Sequence, residues 1–153
     1  MEGINLNNFI IFLDIDGVLC SYDDFGEKDE FDKKTVFRSY SINALNQIID
    51  YYKADLCMIS NWNMDFYDVL SYKDFLKARG VHVNNLTIGN HKEKSGYLKN
   101  LIKEGLKYYL VVDDETFEYH EFIPFKRILK TNKYRCLDEY DFKNVCFNLK
   151  LNI

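Results

Sequence analysis

Two aspartates separated by one residue follow a short apolar run near the start of the chain. The run is residues 9–13, FIIFL, and the carboxylates are Asp14 and Asp16, followed at once by Gly17. Five apolar residues are too few to span a membrane and are typical of a strand buried on both faces. Side chains two apart point the same way along a strand, so both carboxylates can face one small volume and hold a cation. The alternative is a strand that ends in an Asp-Gly turn whose acids are solvated.

Two later apolar runs also end in polar side chains. Residues 56–59, LCMI, are followed by Ser60, and residues 108–112, YYLVV, are followed by the pair Asp113 and Asp114. Ligands bind at the carboxyl ends of the strands in open α/β sheets, so these positions are candidate site residues. Ser-Asn after a strand is also ordinary turn chemistry, which is the competing interpretation of Ser60.

Two lysines lie near the beginning of a helical pattern in residues 89–104. Basic residues at the amino end of a helix are unfavourable against the helix dipole, so Lys92 or Lys94 there indicates a specific partner. The competing interpretation is a solvated lysine, which is common on protein surfaces.

These groups, in this order, resemble the four motifs of the haloacid dehalogenase-like (HAD) phosphohydrolases. FIIFLDIDGVL resembles motif I, the strand that ends at Ser60 resembles motif II, KSGYL from Lys94 to Leu98 resembles motif III, and the aspartate pair resembles the DD form of motif IV. The resemblance extends from residue 9 to about residue 131. It implies a doubly wound three-layer α/β/α sandwich with a central, mostly parallel sheet, a prediction that the alternation of strand and helix patterns supports independently.

The resemblance implies a catalytic role for three of these residues. Asp14 would be the nucleophile that forms an aspartyl-phosphate, and Asp16 would be the general acid and base. Lys94, with Lys92 as the alternative, would neutralise the phosphorylated intermediate as a point charge. An aspartate at position 16 favours phosphatase over dehalogenase chemistry.

The second motif implies a phosphoryl-binding site. The Ser60 hydroxyl and the Asn61 backbone amide would hold a phosphoryl oxygen, and Trp62 would form a wall of the site or a lid. Related sequences have an arginine where this chain has Asn63, so no substrate contact through that position is expected.

The resemblance also implies a magnesium ion. Its ligands would be Asp14, the backbone carbonyl of Asp16 and an acid of the pair Asp113 and Asp114. Position relative to the strand favours Asp114 as the direct ligand and Asp113 as a supporting residue that bonds Lys94, with the reverse order as the alternative. Near-octahedral oxygen ligation by one or two carboxylates and water is what Mg²⁺ prefers.

Hydrophobic periodicity predicts the elements that position these groups. Ser41 is the expected N-cap of a helix that ends near Lys53. Further helices are expected over 64–79, 89–104 and 138–145. Residues 81–83 and 86–88 are expected to form a short peripheral strand and its exit, and residues 127–131 a fifth strand. Residues 146–149 follow the last helix or form an edge strand instead.

Composition is that of one globular domain, residues 1–153, with 47% hydrophobic residues and a net charge of −4. The four scattered cysteines indicate reduced, packed thiols, and no signal peptide or membrane segment is evident, so a cytoplasmic protein is expected. The negative charge weakens a nucleic-acid interpretation without excluding it, because residues 126–135 contain a basic run.

The segment between residues 20 and 37 is acidic and is far too short for the cap domain that many HAD proteins insert there. An open site is therefore expected. Capless members often act on macromolecules, and the motifs look most like the small HAD domains associated with RNA repair proteins. The leading hypothesis is a phosphatase for nucleic-acid ends. The alternatives are a small-metabolite phosphatase and a catalytically silent module that binds a phosphorylated partner. A second copy could cover the open face as a homodimer.

Overall fold

The computed structural model of the protein describes residues 3–24 and 36–149. Their centre is a five-stranded sheet in the order β3-β2-β1-β4-β5, and all four neighbouring pairs are parallel. The strands are β1 (Ile10–Leu13), β2 (Asp55–Met58), β3 (Leu86–Ile88), β4 (Tyr109–Asp113) and β5 (Ile128–Lys130). This arrangement confirms the predicted α/β fold. The strand order changes direction between β1 and β4, where ligands bind in doubly wound sheets.

Helices cover both faces of this sheet. Leu13 of β1 packs in the hydrophobic cluster that contains Leu45 and Leu76, whereas Phe12 packs in a second cluster with Leu98. Because successive strand residues point to opposite faces, the two clusters are the two buried layers of a sandwich. The helices are α1 (Ser39–Tyr52), α2 (Val69–Ala78), α3 (Lys94–Lys103) and α4 (Glu139–Asn148).

The beginning of α1 differs from the prediction. Ser41 is not the N-cap, because the helix begins at Ser39 and Arg38 occupies the cap position without a side-chain cap bond. Instead, the buried Ser41 hydroxyl donates to the carbonyl of Leu137 at 2.7 Å. Ser41 therefore makes a tertiary contact with the segment that precedes α4 and does not cap α1.

The helix predicted over 64–79 is shorter than expected. A 3₁₀ turn, Asn61–Asp65, follows β2, and α2 begins only at Val69, with Asp68 as the N-cap that accepts from the Ser71 amide at 2.7 Å. Asp68 is a residue type that prefers this position. Phe66 is spaced like a helical residue relative to the apolar residues of α2, although it lies in the connection between the 3₁₀ turn and α2.

At the periphery, the strand expected over 81–83 and 86–88 forms only as β3, and the edge-strand alternative for residues 146–149 is wrong. Residues 81–83 form no strand, since the Val81 amide donates to the Leu76 carbonyl at 3.1 Å and the His82 amide to Asn46 Oδ1 at 2.8 Å. Residues 146–148 are the last turn of α4 and not an edge strand. That helix begins with a capping box between Asp138 and Asp141, which satisfies two amides that would otherwise lack partners.

The four cysteines are free and buried, as predicted. No helix in the described part of the chain has the length and apolar content that a bilayer crossing requires. Most of the acidic segment between residues 20 and 37, which was predicted to be too short for a cap domain, lies outside the described residues.

Candidate active site

Three strands deliver their following residues to one edge of the sheet. Leu13 is in register with Met58 of β2 and with Val112 of β4. The pairing continues beyond the strands, since the Asp14 amide donates to the Val112 carbonyl at 3.0 Å and the Ile59 amide to the Leu13 carbonyl at 3.0 Å. The carboxyl ends of these strands therefore meet at one place, at the change of direction in the sheet.

Three carboxylates at this edge, Asp14, Asp113 and Asp114, form what we call the acidic triad. Each offers an oxygen within 4.8 Å of the others, and all three side chains are buried. Burial and the neighbouring Asp113 carboxylate raise the pKa of Asp14 well above its ordinary value. The same two causes raise the pKa of Asp114 from 3.8 to about 6. Buried like charges at this distance repel one another, and a bound cation would relieve that repulsion.

The oxygen atoms of the triad fit a divalent cation unequally. Both oxygens of Asp113 accept hydrogen bonds: Oδ2 accepts from Lys94 Nζ at 3.1 Å and from the Tyr119 hydroxyl at 2.8 Å, and Oδ1 accepts from the Glu115 amide at 3.1 Å. Asp114 Oδ2 is buried and accepts no hydrogen bond from the described residues. An orphaned carboxylate oxygen beside a second acid suits a hard cation with oxygen ligands. The arrangement favours Asp14 and Asp114 as ligands and Asp113 as their support.

Gly17 makes room for Asp114. Its φ is +78°, and a Cβ atom at this position would lie 2.7 Å from both Cγ and Oδ2 of Asp114. Any larger residue would therefore be strained in its backbone and would displace the carboxylate. The Thr131 hydroxyl, just after β5, donates to the Gly17 carbonyl at 2.7 Å and fixes the turn.

The crowded triad predicts that Asp114→Asn stabilises the metal-free protein at neutral pH. Because the folded-state pKa of Asp114 is raised from 3.8 to about 6, the folded protein keeps the proton to higher pH than the unfolded chain. The free energy of unfolding should therefore fall as pH rises from about 4 to 6 and then stay low. Removing the charge should raise the free energy of unfolding in chelator at pH 7 by on the order of 1 kcal/mol after solvent screening. This change corresponds to a rise of a few degrees in Tm.

Thermal unfolding with chelator and with saturating Mg²⁺ checks this prediction. The wild type should gain stability from the ion, and Asp114→Asn should lose most of that gain. An exposed carboxylate on α1 provides the control, since Asp50→Asn should leave both values nearly unchanged. A lower Tm for Asp114→Asn in chelator would show that the triad is not under electrostatic strain.

Lys94, the first residue of α3, reaches the triad. Its Nζ lies 3.1 Å from Asp113 Oδ2 and 3.8 Å from Asp14 Oδ2. Burial alone would lower the pKa of Lys94, but the carboxylates of Asp14 and Asp113 outweigh it and raise the pKa above its ordinary value, so the ammonium stays charged. Lys92 is exposed, and its amide donates to Asn90 Oδ1 at 3.0 Å. The two lysines are thus separated by position, and Lys94 is the one beside the acids.

Ser60 and Asn61, the two residues predicted to bind a phosphoryl oxygen, differ in their exposure to solvent. Ser60 is fully buried at the strand end, and its Oγ accepts from the Trp62 amide at 3.2 Å, which leaves the hydroxyl proton available for donation. Asn61 is exposed and lines a cavity of about 380 Å³ together with Lys94. Exposed Phe117 lines the same cavity. Phosphoryl binding by Ser60 and Asn61 stays a prediction.

Trp62 and Asp16 are joined to each other. The indole Nε1 donates to Asp16 Oδ1 at 2.7 Å, and the Cys20 thiol lies 3.5 Å from the same oxygen. Burial and then the Asp16 carboxylate raise the pKa of the Cys20 thiol, which keeps it protonated as a donor. The Asp16 side chain is not part of the acidic triad. The resemblance assigns its metal bond to the backbone carbonyl, and that assignment also stays a prediction.

Asn63, which stands where related sequences have arginine, has a structural contact set. Its Nδ2 donates to the carbonyls of Met58 at 2.9 Å and Gly89 at 3.2 Å, and its Oδ1 accepts from the Tyr72 hydroxyl at 2.9 Å. The side chain is therefore buried and ties the ends of β2 and β3 to α2.

Sequence reasoning missed three residues around the site. Tyr119 donates to Asp113, and no pattern in the sequence indicates that contact. Thr131 follows β5, so the rule that identified Ser60 would also have selected it. Tyr22 stands beside the acids: burial, Asp114 and Asp16 raise the pKa of its phenol to about 12. The phenol is therefore a hydrogen-bond donor at neutral pH.

Comparison with protein families gives one result that covers most of the chain. The model of the "HAD domain in Swiss Army Knife RNA repair proteins" matches residues 10–142. The matched range contains all the strands, the acidic triad and Lys94. Searches of curated proteins and of solved structures gave no match. The HAD family suggests a hydrolase and usually uses a divalent metal, in agreement with the acidic triad. The chain therefore belongs to the family of HAD domains found in Swiss Army Knife RNA repair proteins.

Proposed function

We propose that this protein is a magnesium-dependent phosphomonoester hydrolase that acts through an aspartyl-phosphate on Asp14, with nucleic-acid ends as its substrates. The observation that carries the proposal is the position of Lys94, whose ammonium lies between Asp14 and Asp113 at the edge of the acidic triad. A carboxylate with a fixed ammonium and a cation site beside it is equipped to approach a phosphate dianion, which would otherwise repel it.

Asp14 is oriented for nucleophilic attack. Its Oδ1 accepts from the Ile15 amide at 2.9 Å, while its Oδ2 lies toward Lys94. In the proposed first step a carboxylate oxygen of Asp14 bonds to phosphorus as the bond to the leaving oxygen breaks. Magnesium held by Asp14 and Asp114 would supply Lewis-acid stabilisation of the charge on the phosphoryl oxygens.

Asp16 transfers the proton in both steps of the proposed reaction. It first gives a proton to the leaving alkoxide oxygen, which departs as an alcohol. It then takes a proton from the water that attacks the phosphoryl group on Asp14, and the Asp14 carboxylate and phosphate are released. The Ser60 hydroxyl and the Asn61 amide are proposed to donate to a phosphoryl oxygen during both steps.

The support for a nucleic-acid end is the surface beside the triad. Phe117 is 93% exposed and lines the cavity that contains Lys94. An exposed aromatic ring at a phosphate site suits the stacking of a terminal base. In addition, Lys133 Nζ lies 5.4 Å above the ring of Tyr22. This pair adds a cation and an aromatic ring near the acidic triad. These features suit a single-stranded end despite the net charge of −4.

We expect Phe117→Ala to weaken oligonucleotide binding selectively. Base stacking on an aromatic side chain contributes about 1–3 kcal/mol, and at this exposed site we expect the low end, a rise of roughly five- to tenfold in KM. The kcat for p-nitrophenyl phosphate should be unchanged. Phe147→Ala is the matched control, because Phe147 is an exposed phenylalanine on α4. Equal KM values for wild type and Phe117→Ala would remove Phe117 from the substrate site.

The direct test of the proposed function is phosphate release with Mg²⁺ and with chelator. The substrates are p-nitrophenyl phosphate, 3′- and 5′-phosphorylated oligonucleotides, and a panel of small phosphorylated metabolites. Magnesium-dependent release that is fastest with an oligonucleotide supports the proposal. A metabolite as the best substrate would replace the nucleic-acid part of it. Magnesium binding without turnover of any substrate would instead favour a phosphate-binding module.

A further inference from the structure

The hydrogen bond between Trp62 and Asp16 joins the two parts of the site that begin after β2 and after β1. The indole Nε1 donates to Asp16 Oδ1 at 2.7 Å across 46 positions in sequence. The Cys20 thiol approaches that same oxygen at 3.5 Å. Asp16 Oδ2 accepts no hydrogen bond from residues 3–24 or 36–149. One carboxylate oxygen is therefore held, and the other is left for a different partner.

The indole itself is held firmly in place. Its ring packs against Phe37 at a centroid distance of 5.6 Å and against Phe75 at 5.4 Å, and the Arg79 guanidinium lies 3.7 Å above the Phe75 ring. The backbone amide of Trp62 donates to Ser60 Oγ at 3.2 Å. A donor held by ring packing and a backbone hydrogen bond loses little freedom when it bonds a carboxylate, which is the condition for precise orientation.

The burial of Trp62 argues against its predicted position as a wall of the substrate site. Only 8% of the residue is accessible, so little of the indole is left to contact a substrate. The polar edge of the ring is already used by Asp16. A buried indole N–H with a carboxylate partner is a contact within the protein.

We propose that Trp62 is a positioning residue that orients Asp16 for proton transfer. This inference rests on the proposed phosphatase function. With Oδ1 held by the indole, Asp16 Oδ2 carries the proton. That proton passes to the leaving oxygen as the P–O bond breaks, and the electron pair of the bond stays on the leaving oxygen. In the second step Oδ2 accepts a proton from the attacking water, whose oxygen bonds to phosphorus as the bond to Asp14 breaks.

This role predicts a dependence on the leaving group that a packing role does not. Benzyl phosphate releases a strongly basic alkoxide that needs a proton, whereas p-nitrophenyl phosphate releases a stable phenolate that does not. The two substrates are similar in size, and kcat/KM includes only the steps through release of the first product. Misplacing Asp16 should therefore slow the benzyl substrate selectively, because general acid catalysis contributes about 10²–10⁴-fold where a proton is required.

The experiment measures kcat/KM for both substrates in wild type, Trp62→Phe and Phe75→Leu, with Mg²⁺. We expect Trp62→Phe to lower the benzyl phosphate value by about 10²-fold and the p-nitrophenyl phosphate value by less than about threefold. Phe75→Leu disturbs the same aromatic packing without touching the hydrogen bond, so it should change both values by one common factor. Asp16→Ala should show the selectivity of Trp62→Phe in stronger form.

The single tryptophan of the chain permits a replacement that keeps the ring shape. Biosynthetic replacement of tryptophan by β-(3-benzothienyl)alanine substitutes sulfur for the N–H and affects Trp62 alone. It should reproduce the substrate selectivity of Trp62→Phe. The tryptophan emission of the unlabelled protein, excited at a wavelength that tyrosine does not absorb, also comes from Trp62 alone, so Asp16→Ala should shift it if the bond exists.

The outcomes separate this inference from the proposed function. If wild type hydrolyses both substrates but loss of the N–H lowers both equally or neither, Trp62 does not position Asp16 and the phosphatase proposal still stands. An emission spectrum that Asp16→Ala leaves unchanged would contradict the contact itself. If wild type with Mg²⁺ hydrolyses neither substrate, nor any phosphorylated oligonucleotide, nor any phosphorylated metabolite of the panel, the proposed function and this inference both fail.

Discussion

Asp14→Asn should lower the hydrolysis of p-nitrophenyl phosphate by roughly 10³-fold or more while leaving the fold intact. The amide that replaces the carboxylate is a poor nucleophile and cannot form an acyl phosphate. The substitution also removes one charge from the acidic triad, where burial and Asp113 already disfavour the ionised form of Asp14. Thermal stability in chelator should therefore not fall, which separates a chemical defect from a folding defect.

The measurement is initial rate at saturating substrate with Mg²⁺, with Asp50→Asn as the control. Asp50 is an exposed carboxylate on α1 that pairs with His82 at 2.9 Å, so neutralising it changes the net charge equally. A surface pair of this kind contributes little to stability. If Asp14→Asn kept more than a tenth of the wild-type rate, Asp14 would not be the nucleophile.

Lys94→Met should lower kcat by about 10²–10³-fold, the usual effect of removing one preorganised group that stabilises charge in the transition state. The methionine fills similar volume, but it leaves Asp14 and Asp113 without the ammonium that lies 3.8 and 3.1 Å from them. Because removing one partner of a buried ion pair is destabilising, the variant should be compared with wild type in saturating Mg²⁺ and below its own Tm.

Lys92→Met is the matched substitution for this prediction. Lys92 is exposed and lies two residues before Lys94. We expect its kcat for p-nitrophenyl phosphate to stay within about threefold of wild type. A larger loss of kcat in Lys92→Met than in Lys94→Met would mean that the lysine beside the acids in the structure is not the one that acts on the phosphate.

The strand ends were predictable because the physical signal is abrupt. An apolar run that stops at carboxylates marks both a buried strand and its functional end, and β1 and β4 each show it. The prediction that Asp113 bonds Lys94 also agrees with the observed 3.1 Å contact. In each case one local pattern, together with the resemblance, was enough.

The contacts between distant segments were not predictable from the sequence. Trp62 and Asp16 are 46 residues apart, and nothing in either segment indicates that an indole N–H meets that carboxylate. The Asn63 side chain joins three elements through bonds whose partners are backbone carbonyls and a tyrosine hydroxyl, which no residue pattern encodes. Tertiary context decided these side chains.

The measurement that tests the account most directly is detection of the phosphorylated enzyme. Protein mixed with p-nitrophenyl phosphate and Mg²⁺ is quenched in acid during the first turnover, digested, and analysed by mass spectrometry. We expect one phosphoryl group on the peptide that contains Asp14 and Asp16, localised to Asp14, absent in chelator and in Asp14→Asn. Phosphate release throughout the first turnover with no phosphoryl group on Asp14 would contradict the proposed mechanism.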